Sequence, residues 1–343
     1  MFAETFRIAT YNTGLSRDGP GLLLRDILKG DDPQLTAFRK VVAQVAPDIL
    51  ALQDVDYDLG LTTLTALRDM IRADGPDYPH LFARRPNSGL ETGLDMDGDG
   101  RLGQGRDAQG FGLFAGQGGM AILSRFPFDP DKAQDFGTFL WKDLPGAIMP
   151  IVDGTPFPSA EAAEVQRLSS VAHWVVPVIL PQGRIDLLAF HASPPVFDGP
   201  EDLNGRRNHD EIRFWQLFLD GQIGEAPTGA FVLLGDANLD PHDSDGRNKV
   251  MRNLLADPRL QDPRPLRPGV VAQDAGQVGD PRLDTVAWPK PDPGHLRVDY
   301  VLPAAGLKLR GSGVYWPPDN TPEAEVVNAA NHHRMVWVDL VID

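Results

Sequence analysis

Eight short runs rich in β-branched and aromatic residues are strung along this chain, and the polar residue in them recurs at the C-terminal end: FRIATYN, DILALQDVD, GMAILSRFP, VAHWVVPVIL, RIDLLAFHA, FVLLGDAN, RVDYVLP and MVWVDLVI. They read as sheet strands, many of them buried on one face. Between them lie helical patterns. In LTAFRKVVAQVAPDIL, residues Leu35, Phe38, Val41, Val42 and Val45 form one stripe before Pro47 ends it. DLGLTTLTALRDMIRADG and NHDEIRFWQLFLDG behave similarly and stop at glycine. Strands alternating with helices call for an α/β (α+β) fold in which helices cover the sheets. Residues 1–343 are expected to form a single domain, with long loops at about 84–119 and 261–295 that are rich in Gly, Pro, Asp and Arg.

Charge narrows the partners. The formal net charge is −16, from 48 acidic against 32 basic residues. Such a field opposes polyanions, so bulk nucleic acid is a poor partner unless basic residues gather locally or metal ions intervene. The absence of cysteine excludes disulfides, thiolate metal sites and thiol nucleophiles, leaving oxygen and imidazole as ligands. No apolar run approaches the roughly 20 residues that span a bilayer.

The strand ends collect Asn12, Asp54, His191, Asp236, Asn238, Asp299 and the pair His332 and His333. Carboxylates, amides and imidazoles suit a hard divalent ion and phosphate oxygens, which points to metal-assisted hydrolysis. The two-residue period of an extended chain sends Asp236 and Asn238 to the same side, where both could face one phosphate. Taken alone, GDAN reads equally as a turn in which Asp and Asn bond their own backbone.

In order, ATYN, LALQD, GMAILSR, FH, GDAN, RVDYV and HHRMVWVDL resemble the endonuclease/exonuclease/phosphatase superfamily of metal-dependent phosphoesterases, from Asn12 to His333. The resemblance implies a four-layer α/β-sandwich, two mixed β-sheets face to face with helices outside and the active site at one end between the sheets. By position it makes Asp54 the metal carboxylate, where the family's LQE has Glu; Asp is one methylene shorter, so either the metal shifts, a water intervenes, or Asp56 helps to hold it. It gives Asn12 to the metal or phosphate, His191 to the phosphate, Asp236 to the attacking water, Asn238 to water or phosphate, and His333 to the phosphate, with Asp299 fixing its tautomer. His332 stands where the family has Asp and is expected to ligate or to donate to phosphate. The implied cofactor is a divalent metal, Mg²⁺ or Mn²⁺.

ETGLDMDGDGRLGQGRD places Asp95, Asp97 and Asp99 before Gly100, as at the start of a calcium loop. Arg106 stands where an EF-hand has its last Glu; Asp107 and the carbonyl of Arg101 would complete a structural Ca²⁺ set, against the alternative of a solvated acidic turn. Arg84, Arg85 and Asn87 precede this loop, and Asn87 is expected to contact substrate, as Arg206 and Arg207 could. The expected function is hydrolysis of a phosphorylated small molecule or phosphodiester. The alternatives are a phosphate-ligand binding module with altered catalysis, and a nuclease. Zero cysteines and a calcium-type loop lean towards an extracellular or periplasmic protein, although MFAETFRIATYN has no signal-peptide pattern. Oligomeric state is not legible here.

Overall fold

FVLL carries no polar residue because both of its faces are covered. Val232 and Leu234 point into a core between two sheets, whereas Phe231 and Leu233 join an outer core beneath helices. The computed structural model describes residues 4–269, 271–289 and 293–342. Its elements run β1 (Thr5–Asn12), α1 (Leu22–Lys29), α2 (Pro33–Val45), β2 (Ile49–Val55), α3 (Thr62–Arg72), β3 (His80–Phe82), β4 (Gly119–Ser124), β5 (Gln134–Asp135), β6 (Ile151–Val152) and β7 (Thr155–Pro156). There follow α4 (Ala160–Val165), β8 (Ala172–Leu180), β9 (Gly183–His191), α5 (Leu203–Leu219), β10 (Ala230–Asp236), α6 (Lys249–Leu255), β11 (Val286–Ala287), β12 (His295–Leu296), β13 (Asp299–Pro303), β14 (Lys308–Val314), α7 (Pro322–Ala330) and β15 (Val336–Val341).

Two mixed sheets dominate, in the orders β14-β15-β1-β2-β4-β3 and β13-β10-β9-β8-β5. Each holds one parallel pair, β1 with β2 and β9 with β10, flanked by antiparallel neighbours. The inter-sheet core includes Ile8, Ile49, Ile122, Trp174, Leu187 and Val338. Phe38, Val41 and Leu67 cover the outside of the first sheet, and Ile212, Trp215 and Met251 cover the second. The result is helix, sheet, sheet, helix, as the four-layer expectation required.

Local signals explain the helix ends that matter. Asp32 accepts from the Leu35 amide at 2.9 Å with Pro33 at the first helical position, and Ala46 turns left-handed before Pro47. α5 begins at Leu203, ahead of the NHDE expected to open it. α1, β14 and α7 are further elements that the apolar runs did not mark.

In sheet two, Asp236 lies in register with His191 on one side and with Asp299 on the other. Three polar strand-end residues therefore form one row by hydrogen-bond register alone. Gly235, next to that row, has φ +147°, and a Cβ there would sit 1.9 Å from the Phe190 carbonyl oxygen. Gly235→Ala is expected to cost more than about 3 kcal/mol, since rigid backbone rather than a movable side chain blocks the added carbon. Urea unfolding measures this, and a loss below about 1 kcal/mol would mean the strands can part.

Candidate active site

The two parallel pairs end at the same edge of the sandwich, and one hydrogen bond ties them together. Asn12, at the end of β1, donates through Nδ2 to Asp236 Oδ2 at 2.8 Å. Asp236 is fully buried, and its Oδ1 accepts from the Asn238 amide at 2.7 Å. GDAN is thus an Asx turn that presents Asp236 between the sheets, and Asn238 departs from the extended line on which both side chains were expected to face one phosphate. Asn238 has φ +48°, and its Nδ2 donates to the Ala192 carbonyl at 2.9 Å, which pins the segment after His191 to the segment after Asp236.

His333 Nδ1 lies 3.0 Å from Asp299 Oδ2, with both residues buried. This bond holds the imidazole orientation and leaves Nε2 to face reactants. Trp288 packs edge-on against the His333 ring at 5.4 Å. Thr285 Oγ1 accepts the amides of Val298 and Asp299, and its carbonyl accepts the Arg334 amide, so one residue aligns both partners.

Electrostatics push the central pair in the same direction. Burial first, then the neighbouring Asp299, raises Asp236 to about 7, against the lowering effect of His333, Asn12 and the Asn238 amide. For His333 burial pulls downward, but Asp299, Asp236 and Asp54 outweigh it and raise the imidazolium to about 9. Burial lowers His191 to about 3, with His333 adding to the effect, so His191 is neutral. His191 Nε2 lies 3.6 Å from Asp236 Oδ2.

Asp54 sits at a register shift between β2 and β4, with φ +55°. Its carboxyl is raised by burial and eased by Ser16, His333 and Arg17. Asp56 accepts one amide on each oxygen, from Arg17 and Gly118, and is raised to about 6 by burial with Asp54 contributing. Three carboxyls are therefore held above their ordinary range, the condition a divalent cation relieves. Asp236, Asp299 and His333 each offer a ligand atom within 4.8 Å of one another. Oxygen donors without sulfur suit a hard divalent ion, and the carboxyls that burial raises could hold one, whereas His333, kept as an imidazolium, is a proton donor and not a ligand near neutral pH.

Other expectations need correction. Asn87 does not reach the cleft: its Nδ2 donates to the Gly137 and Ser169 carbonyls, and its Oδ1 accepts from Arg167. Arg207 is spent likewise on the carbonyls of Leu168, Gln109, Arg167 and Ser169. His332 is exposed, with Nδ1 on the Ala287 carbonyl at 2.9 Å, outside the buried row. In the acidic loop Asp95, Asp97 and Asp99 do converge within 4.8 Å, but Asp107 turns both oxygens to the Met96 and Gln104 amides. Asp95 accepts the Gly98 and Gly100 amides and Asp99 the Arg101 amide, so the loop bonds its own backbone while its three carboxylates still meet at one point, as a calcium ion would require.

One positioning residue escaped the sequence reading. Asn208, fully buried on α5, donates to the Ser193 carbonyl at 2.7 Å and the Ala237 carbonyl at 2.8 Å, clamping the segments that follow His191 and Asp236. On a helix it looked like any polar interruption of an amphipathic face. Asn208→Ala is expected to lower kcat ~10–100-fold with KM little changed, because both reacting groups lose their anchor. Steady-state kinetics checks this, and an unaltered kcat would make the clamp purely structural.

The model of the endonuclease/exonuclease/phosphatase family matches residues 9–327. No curated protein matches the chain. Among solved structures, an endonuclease/exonuclease/phosphatase from Beutenbergia cavernae is similar at 20% identity and TM-score 0.55, covering 98% of this chain and 72% of that one. A 3′-5′ exonuclease from Neisseria meningitidis is similar at 16% identity and TM-score 0.50, covering 98% and 100%. Sphingomyelinase C from Streptomyces griseocarneus is similar at 16% identity and TM-score 0.50, covering 98% and 99%. At such identities the structural likeness concerns the fold.

Proposed function

The chain belongs to the endonuclease/exonuclease/phosphatase family, and from that premise we propose that it is a metal-dependent hydrolase of small phosphodiesters or phosphomonoesters. The observation that carries this reading is the buried row itself: a carboxylate raised to about 7 beside an imidazolium raised to about 9. Near neutral pH the first can accept a proton while the second still donates.

In the proposed reaction Asp236 orients a water and takes its proton as the water oxygen bonds to phosphorus. The ester P–O bond breaks, and the proton held by Asp236 returns through solvent to the departing alkoxide. His333 donates to a phosphate oxygen as charge accumulates, held in place by Asp299. Asn12 keeps Asp236 aimed between the sheets, and neutral His191 lines the phosphate side. Asp54, supported by Asp56, would hold a divalent metal, which supplies Lewis-acid stabilisation of the phosphate charge.

Bis-p-nitrophenyl phosphate and p-nitrophenyl phosphate, assayed with Mg²⁺, Mn²⁺ and Ca²⁺ and then with EDTA, test the reading. Turnover is expected to fall to background on chelation and to return with metal. No turnover of either ester under any metal would defeat it. Plasmid DNA run in parallel addresses the nuclease alternative, which the net charge of −16 disfavours.

A further inference from the structure

β8 and β9 stay paired from their hairpin up to Ala172 opposite His191, and there they part. Equivalent pairs of an antiparallel ladder recur every second residue, so the next would set Ser170 opposite Ser193. A carboxylate stands there instead. Glu211, fully buried on α5, accepts the Ser170 amide at 2.6 Å and the Ser170 hydroxyl at 2.7 Å on Oε1, and the Ser193 amide at 2.7 Å on Oε2. Two strand-end amides are thus satisfied by one side chain from the helix layer.

The same turn of α5 takes over the carbonyls. Asn208 donates to the Ser193 carbonyl at 2.7 Å, and Arg207 to those of Leu168 and Arg167 at 2.9 and 2.7 Å. Gly110 packs on the Ser170 carbonyl so closely that a Cβ would lie 1.8 Å from its oxygen. Glu211 is itself anchored, since its backbone carbonyl accepts from His173 Nε2 at 2.9 Å while His173 Nδ1 takes the Ser169 hydroxyl at 2.6 Å.

The chemistry of the position calls for Glu. All three partners of the carboxyl donate, which suits the ionised form with an acceptor on each oxygen. Burial raises its pKa, and Arg207 with the Ser170 and Ser193 donors pulls the other way. Gln would turn a donor towards one of the two amides, and Asp would fall a methylene short of them.

Ser170 and Ser193 line the same cleft as Asp54 and His191. We propose that Glu211 is a positioning residue for His191: by holding β8 and β9 apart immediately past that residue, it fixes the strand end from which the imidazole meets Asp236, Nε2 to Oδ2 at 3.6 Å. This rests on the phosphoesterase reading and extends the same site inward to the helix layer.

The test is a double-mutant cycle on bis-p-nitrophenyl phosphate with Mg²⁺. Glu211→Gln is expected to lower kcat/KM ~10-fold or more in the otherwise unaltered protein, as small misplacements of a reacting group do. In a His191→Ala background the same change should cost less than ~2-fold, because the group it positions is already gone. Equal losses in the two backgrounds, or no loss in the first, would make Glu211 a packing residue only and overturn the inference. Should Glu211→Gln fail to fold, Ser170→Ala, which deletes the hydroxyl's bond alone, enters the same cycle, with a loss of ~3-fold expected only where His191 is present. Should the unaltered protein cleave no ester, the phosphoesterase reading fails and the imidazole ¹⁵N resonances of His191, assigned by their loss in His191→Ala, decide the placement by themselves. A shift of these resonances in Glu211→Gln, with those of His80 on β3 unmoved, supports it, and unmoved His191 resonances overturn it.

Discussion

Asp236→Asn is expected to lower kcat by at least ~10³-fold, the scale of losing a positioned base, without unfolding the protein. The amide keeps the shape of the carboxylate and can still accept the Asn238 amide, but it cannot take a proton from water. The effect on stability has a definite sign. Asp236 is raised from 3.8 to about 7, so the folded state binds its proton more tightly than the unfolded chain does. Its contribution is favourable only with the proton on, and it declines as pH rises through that window. At pH 8 the buried carboxylate is therefore a burden, and removing its charge should raise stability by on the order of 1 kcal/mol. Thermal unfolding at pH 8 and single-turnover kinetics measure the two effects. A kcat within tenfold of the unaltered protein would remove Asp236 from the role of base.

Asp299→Asn should move both limbs of the pH–rate profile downward and cut kcat ~10²–10⁴-fold, the range for a mis-set acid–base group. Asp299 raises His333 by charge and by hydrogen bond, and raises Asp236 by like-charge repulsion. Without it the alkaline limb leaves the neighbourhood of 9 and the acidic limb leaves that of 7. His333 is raised above its ordinary 6.5 in the fold, so its contribution to stability is complete below that value and is lost as pH rises through about 9. Asp299→Asn should flatten this alkaline loss, which melting curves at pH 7 and pH 10 would show. An alkaline limb that stays near 9 would mean that another group controls it.

Why were some features legible and others not? The strands that carry the row were plain because burial on two faces leaves unbroken apolar runs, and the polar residue that stops each run marks where a strand leaves the core. β14 gave no such signal: KLRGSGV alternates charge and glycine, and only its last two residues are buried. α7, PEAEVVNAA, buries only small and aliphatic residues and is too short to build a stripe that sequence alone makes obvious. The site's polar strand-end residues could be listed, but which of them meet depends on register and on the approach of two sheets. That is how Asn12 and Asp236 come together across 224 positions while His332, adjacent to His333, points away. Asn87 and Asn208 show the converse, since an amide that serves backbone carbonyls and one that serves a ligand are the same letter. Their difference lies in what surrounds them, which no local pattern encodes.

The pairing of β1 with both β2 and β15 also governs when this chemistry can begin. Asn12 is synthesised well before His333, and the strand that follows His333 must dock on β1 before the row is complete. A chain still leaving the ribosome, or one clipped within its last strand, holds most of the secondary structure without a working centre. Long-range closure of this kind is slow compared with helix formation. Recovery of turnover during refolding should therefore lag the return of helical signal, which makes catalysis itself a gauge of whether β1 and β15 have met.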